Sequence, residues 1–229
     1  GMLNDRFDCK TSEFLETGSS LGFMGVEIVL ASKYICMTME SYIDKMVQDL
    51  EAMGMVIAKR EVSMPMTQPI DPETPTLSPK MVRLFLSGNG CLAWCSNTVR
   101  LDVSHAFSRI GQHSAKPTTS ALNALAHAIS YLSQHKSMCL YQSLHPEDVP
   151  MEAVSTPKEE HPQYGFHFYT DTDHAGNTEV QNRRRSQNGH VTMNHRAAVD
   201  WYSKVSSVAF ATPLVGEAHP DFSSGAVEI

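Results

Sequence analysis

The chain has 229 residues, 41% of them hydrophobic, which is enough for a packed core and too apolar for general disorder. Its formal net charge is −7 with histidines neutral, which argues against a strongly basic nucleic-acid-binding module but not against an enzyme with acidic metal ligands and locally placed basic residues. No apolar run reaches the roughly 18–20 residues that cross a bilayer, and no basic-then-apolar leader is visible, so an intracellular protein without a membrane, in the cytoplasm or nucleus, is expected.

Gly1 before Met2 reads either as a residue left by a tag or as the start of an internal fragment. Cys9, Cys36, Cys91, Cys95 and Cys139 are odd in number and scattered. Small buried thiols in a reducing compartment explain them better than a zinc site does.

Residues 21 to 39 read as a hairpin with arms Phe23 to Leu30 and Tyr34 to Met39, joined by a turn at Ala31 to Lys33. A helix should open at Glu40 or Ser41. Tyr42, Ile43, Met46, Val47 and Leu50 give it an apolar face, and Gly54 ends it. Residues 62 to 79 carry Pro65, Pro69, Pro72, Pro75 and Pro79 and should be extended over the surface. Residues 80 to 144 read as helical. Helices are expected over Met81 to Ser96, with a bend at Gly88 and Gly90, over Asp102 to Ser114, and over Thr118 to Gln134 after Pro117.

The proline-containing, polar residues 145 to 163 mark a linker between a first domain, 1 to 144, and a second, 164 to 229. Strands are expected at Tyr164 to Asp171, Gly189 to His195 and Ala198 to Ser203, with a strand-like segment at Ser207 to Ala211. The tail from Glu217 is a short broken helix or loose chain.

Chemistry concentrates in the stretch YTDTDHAG. Side chains two apart in a strand share a face, so Asp171 and Asp173 point the same way if the strand persists. Two carboxylates so placed can hold a hard divalent cation through oxygen. By spacing alone, a solvated strand end explains them as well. Arg183, Arg184 and Arg185 form the one dense basic cluster, which either grips a phosphate backbone or is a solvated loop. His161, His167 and His174 lie near the acids without metal-ligand spacing. There is no Gly-rich phosphate loop and no Gly-x-Ser-x-Gly nucleophile turn.

Taken in order, these pieces resemble a known family. LGFMGVEIV and SKYICMTMESYIDKMVQDLEAMGM are similar to the hairpin and thumb helix that follow the polymerase Tyr-x-Asp-Asp of copia-type LTR retrotransposon Pol polyproteins. VSMPMTQPIDP, NTVRLDVSHAFSRI and LNALAHAISYLSQHKSMCL resemble the proline-rich stretch and connection region that come next, with Leu101 where the family has proline. YTDTDHAG, RRSQNGHVTM and VDWYSK resemble the opening strands of its RNase H domain, Gly189 and Trp201 included. The resemblance covers nearly the whole chain, from Leu3 to Ile229.

It implies an α+β fold: a β-hairpin plus a helical thumb/connection segment over 1 to 144, then a truncated RNase H-like mixed sheet over 164 to 229. It implies a fragment of a reverse transcriptase/RNase H polyprotein that cleaves RNA in an RNA–DNA hybrid with Mg2+ or Mn2+. Its partners would be nucleic acid and the rest of the Pol polyprotein. Asp171 matches the first catalytic aspartate, Asp173 a neighbouring acid, and Glu217 the catalytic glutamate, with Arg183 to Arg185 near the hybrid backbone. The departures are Pro213 and Pro220, which disrupt the helix expected around Glu217. A later aspartate is also not reached before Ile229. An isolated chain with weak or no activity is therefore expected. A non-catalytic nucleic-acid- or protein-binding module of the same ancestry is the alternative, and a decayed element with no selected function is a third.

Overall fold

A computed structural model describes residues 16–142, 166–173, 185–194 and 197–206. Two antiparallel sheets lie against a layer of helices. The first has the order β1 (Ser20–Phe23), β2 (Val26–Leu30), β3 (Ile35–Thr38) and β4 (Leu140–Gln142). The second has the order β5 (Phe166–Asp173), β6 (Gln187–Asn194) and β7 (Ala197–Val205). Four helices lie between them in sequence: α1 (Glu40–Ala52), α2 (Pro79–Thr98), α3 (Ser104–Gly111) and α4 (Thr119–Gln134), with a 3-10 turn at Leu101–Val103. The architecture is α+β, and every described strand pair is antiparallel.

The first departure from the sequence reading lies in the hairpin. Phe23 to Leu30 is not one arm, because the chain reverses at Met24–Gly25 and Phe23 pairs with Val26. Both turn residues have positive φ, 51° at Met24 and 85° at Gly25, the two-residue turn whose twist matches that of the flanking strands. Gly25 is needed a second time: a Cβ there would sit 2.8 Å from the Tyr42 ring, which lies against it from α1. The unbroken apolar run through this turn conceals it in the sequence.

α1 buries Ile43, Met46 and Leu50, the face its spacing defines. It stops in a Schellman motif. Gly54, at φ 104°, donates its N–H to Glu51 O at 2.9 Å, and Met55 donates to Leu50 O at 2.9 Å. α2 starts with Pro79 in its first turn and runs unbroken through Gly88 and Gly90. Gly88 serves packing instead. A Cβ there would come within 3.0 Å of Leu125 Cδ2 on α4 and 3.3 Å of Met55 Cε.

The proline-rich stretch is tied down along α4. Ala58 N donates to Ser130 Oγ (2.8 Å) and Val62 N to Gln134 Oε1 (2.8 Å), while Gln134 Nε2 reaches Arg60 O (2.8 Å). Further along, Asp71 N donates to Ser120 Oγ (3.0 Å) and Thr119 N to Pro75 O (2.9 Å). Val62 and Ile70 are buried. Backbone groups that prolines keep out of regular structure thus find partners on one helix.

Two further expectations change. The Asp102 to Ser114 helix is shorter, α3 following the 3-10 turn and giving way to turns after Gly111. The region 80 to 144 is not all helical, because Leu140–Gln142 is β4, paired with β3. Arg100 fixes the join between α2 and α3. Its side chain is 1% exposed and grips Asp102 through two bonds, Nε to Oδ1 at 3.0 Å and Nη2 to Oδ2 at 2.7 Å.

Among the described cysteines, none is in a disulfide. Cys95 is buried, and burial pushes its thiol up to about 12. The linker residues 145–163, the segment 207–211 and the tail from Glu217 lie outside the described residues.

The turn yields a direct test. Gly25→Ala must force alanine into the left-handed region and against the Tyr42 ring, costing at least about 1–2 kcal/mol. Chemical denaturation should show the loss, and Tyr42→Ala in the same chain should recover the part due to the clash.

Candidate functional site

The second sheet docks on the helices through its inner face. The β6–β7 register places Gln187 opposite Val205, Gly189 opposite Ser203 and Val191 opposite Trp201. Directly opposed residues of antiparallel strands share a face. On this face Val191, Met193 and Trp201 pack against the main hydrophobic core. Gln187 Nε2 donates to Ser108 Oγ on α3 (2.9 Å) and to Ser203 Oγ (2.7 Å).

Trp201 makes the most telling contact. Near the end of α2, the N–H groups of Val99 and Arg100 both turn to Cys95 O. Arg100 N would otherwise serve Ser96 O, the carbonyl four residues before it. The Trp201 indole N–H donates to that carbonyl at 2.7 Å.

β5 joins this sheet at its edge. The strand persists to Asp173, with Asp171 opposite Gly189 and Asp173 opposite Gln187. Both carboxylates therefore belong to the inner face, and both are exposed. Thr172, between them, turns to the other face and is buried. On that outer face His190 bonds Asp200 at 2.8 Å and meets the Tyr202 ring edge-on, 4.1 Å between centroids.

Between the sheet and the start of α3 lies an open cleft of about 310 Å³, bordered by Asp171, Gly189, Trp201, Leu101, Asp102 and His105. Its surface is chiefly apolar. The His105 imidazole is held below its ordinary pKa by partial burial first and by Arg109 second, while Asp173 acts in the opposite sense. The ring keeps much of its surface in solvent, so this favours the neutral form at little cost in stability.

Asp171 and Asp173 are the candidate metal ligands that the described structure brings together. Two carboxylates suit a magnesium ion that retains most of its waters and is completed by a phosphate. Among the described residues, no group of three or more His, Cys, Asp or Glu side chains could hold a metal. Arg185 is half-buried just ahead of β6. Arg183, Arg184 and Glu217 lie outside the described residues, as do His161 and His174. Sequence reasoning missed Gln187, Asp102 and His105. The polar residue Gln187 falls on the inward side of the β6 alternation, and that was the available signal. Asp102 and His105 carry none, because the 3-10 turn and the start of α3 meet the sheet only in the folded chain.

No protein-family model matches the chain, and no curated protein or solved structure matches it significantly. Among the described residues, no helix is long and apolar enough to cross a membrane.

The docking bond is testable. Trp201→Phe keeps the aromatic bulk but strands the Ser96 carbonyl, and should destabilise the protein by about 1–3 kcal/mol. Amide exchange should quicken along β6 and β7 well before it does in α4.

Proposed function

We propose that the chain is a segment of a copia-type retrotransposon reverse transcriptase/RNase H polyprotein, acting on RNA–DNA hybrid or other nucleic acid inside the cell. The observation that carries this reading is the acidic pair. Asp171 and Asp173 share the inner face at the end of the first strand of an antiparallel meander. The resemblance puts the first metal-binding aspartate of an RNase H-like sheet at Asp171. Mg2+ or Mn2+ held there by Asp171, with Asp173 beside it, would supply the charge that stabilises a cleaved phosphodiester. Glu217 would complete that site, and Arg183, Arg184 and Arg185 would meet the hybrid backbone.

A second reading has its own support. With no group of three or more ligating side chains among the described residues, cation affinity should be weak. That favours a non-catalytic module that binds nucleic acid, with the rest of the Pol polyprotein or another protein as partner.

One assay separates the two. The chain is incubated with labelled RNA–DNA hybrid and magnesium or manganese, beside Asp171→Asn. Salt-sensitive binding with no robust cleavage is the expected result. Turnover that vanishes in Asp171→Asn would establish the enzyme instead, and neither cleavage nor binding would remove both readings. In the same assay, changing Arg183, Arg184 and Arg185 together to Ala should weaken binding at every hybrid sequence. It should also reduce the slope of log K against log salt by about one per lost phosphate contact. An unchanged slope would mean that the cluster touches no phosphate.

A further inference from the structure

The cleft beside Asp171 has a shape and lining that a phosphodiester backbone does not explain. Leu101, Val191 and Trp201 make its surface largely apolar, and two carboxylates border it: Asp102, held by Arg100, and Asp171. Gly189 forms the floor directly opposite Asp171. Glycine inside a strand weakens the strand, and usually marks a bulge, an unusual φ or a close approach. None of these applies at Gly189. Its φ is not positive, the β6 irregularity lies elsewhere, at Thr192/Met193, and among the described residues a Cβ would meet nothing nearer than Tyr202 O at 3.8 Å. Among the described residues, the missing side chain leaves open space beside the Asp171 carboxylate.

A ligand for that space needs flat apolar faces and an N–H donor at one edge. Its volume is at the small end of ordinary ligand sites, which combine apolar walls with a few polar groups in this way. We infer that the cleft takes an unpaired nucleobase, its faces against Leu101, Val191 and Trp201 and a ring or exocyclic N–H donated to Asp171. A base within a duplex cannot enter, because its donor edge is paired and its faces are stacked. The inference rests on the reading above that nucleic acid is the partner, and adds that a single-stranded nucleotide is what the cleft selects. A bare phosphate is disfavoured by the carboxylate.

Trp94 and Trp201 are the two tryptophans, so Trp94→Phe leaves Trp201 as the sole indole reporter. Its emission is followed in EDTA, which keeps metal binding out of the experiment. The titrants are a mixed-sequence RNA 12-mer, the same strand annealed to DNA, guanosine, and ribose 5-phosphate. The single strand should quench Trp201 with an apparent Kd about tenfold below that of the hybrid, guanosine should quench weakly, and ribose 5-phosphate not at all. Gly189→Val fills the floor with a residue suited to a strand and should abolish the quenching with an unchanged circular dichroism spectrum. If that variant misfolds, Asp171→Ala decides instead: it alters an exposed side chain and should weaken the single-strand response several-fold.

Equal quenching by hybrid and single strand, a response to ribose 5-phosphate matching that to guanosine, or indifference to both Gly189→Val and Asp171→Ala would overturn the inference. Hybrid binding that leaves Trp201 silent would remove this site and spare the polyprotein reading. A Trp201 response to single strands in a chain that never binds hybrid would do the reverse.

Discussion

The placement of the candidate site depends on one hydrogen bond at the end of α2. The helix tightens there, and the N–H groups of Val99 and Arg100 converge on Cys95, leaving Ser96 O without a backbone partner. An unpaired carbonyl in such a place costs about as much as a lost hydrogen bond. The indole of Trp201 removes that cost and brings β7 onto the helices. Because Trp201 stands opposite Val191, and Gly189 opposite Asp171, the same contact sets the height of β5 above α3. The sheet wall of the cleft and the acidic pair are thus positioned by a helix end distant from them in sequence.

The helical layer is held by a comparable economy of partners. Arg100 is buried beside Asp102, and a bidentate pair is the geometry that can offset the desolvation of a guanidinium. The chain from Ala58 to Thr76 has little regular pairing of its own, and α4 supplies donors and acceptors for it from Ser120, Ser130 and Gln134. Polar residues on α4 that would otherwise be a solvated face therefore act as a template for the proline-rich stretch. The apolar stripe of the same helix, with Leu125, Ile129 and Leu132, is fully buried. α4 is accordingly satisfied on two sides, by core and by backbone.

How much of this was legible varied with the range of the interactions. α1 and α4 follow from 3.6-residue apolar spacing, from Gly54 and from Thr118, whose hydroxyl accepts from Ala121 N. The shared face of Asp171 and Asp173 follows from strand alternation once the strand reaches Asp173. The reversal at Met24–Gly25 was hidden because Phe23 and Met24 are large, exposed and apolar, and read as strand. β4 was hidden because three residues carry no period, and only pairing with β3 makes them a strand. The cleft was least legible. Leu101 and His105 meet Gly189 and Trp201 only after the sheet has docked, and no local pattern encodes that meeting.

The pairing of β4 with β3 has a consequence for the order of folding. Ile35 meets Gln142 across the whole helical region, so this contact closes by far the longest loop in the first sheet. Loop-closure entropy disfavours such a contact until the intervening chain is compact. The β1–β2–β3 meander and the α2–α4 packing are local enough to form beforehand. β4 is then the latch strand, added after the helices have drawn the two ends of that loop together, and β7 lies against it. The sheet that carries Asp171 therefore rests against a strand whose own pairing requires a compact helical layer.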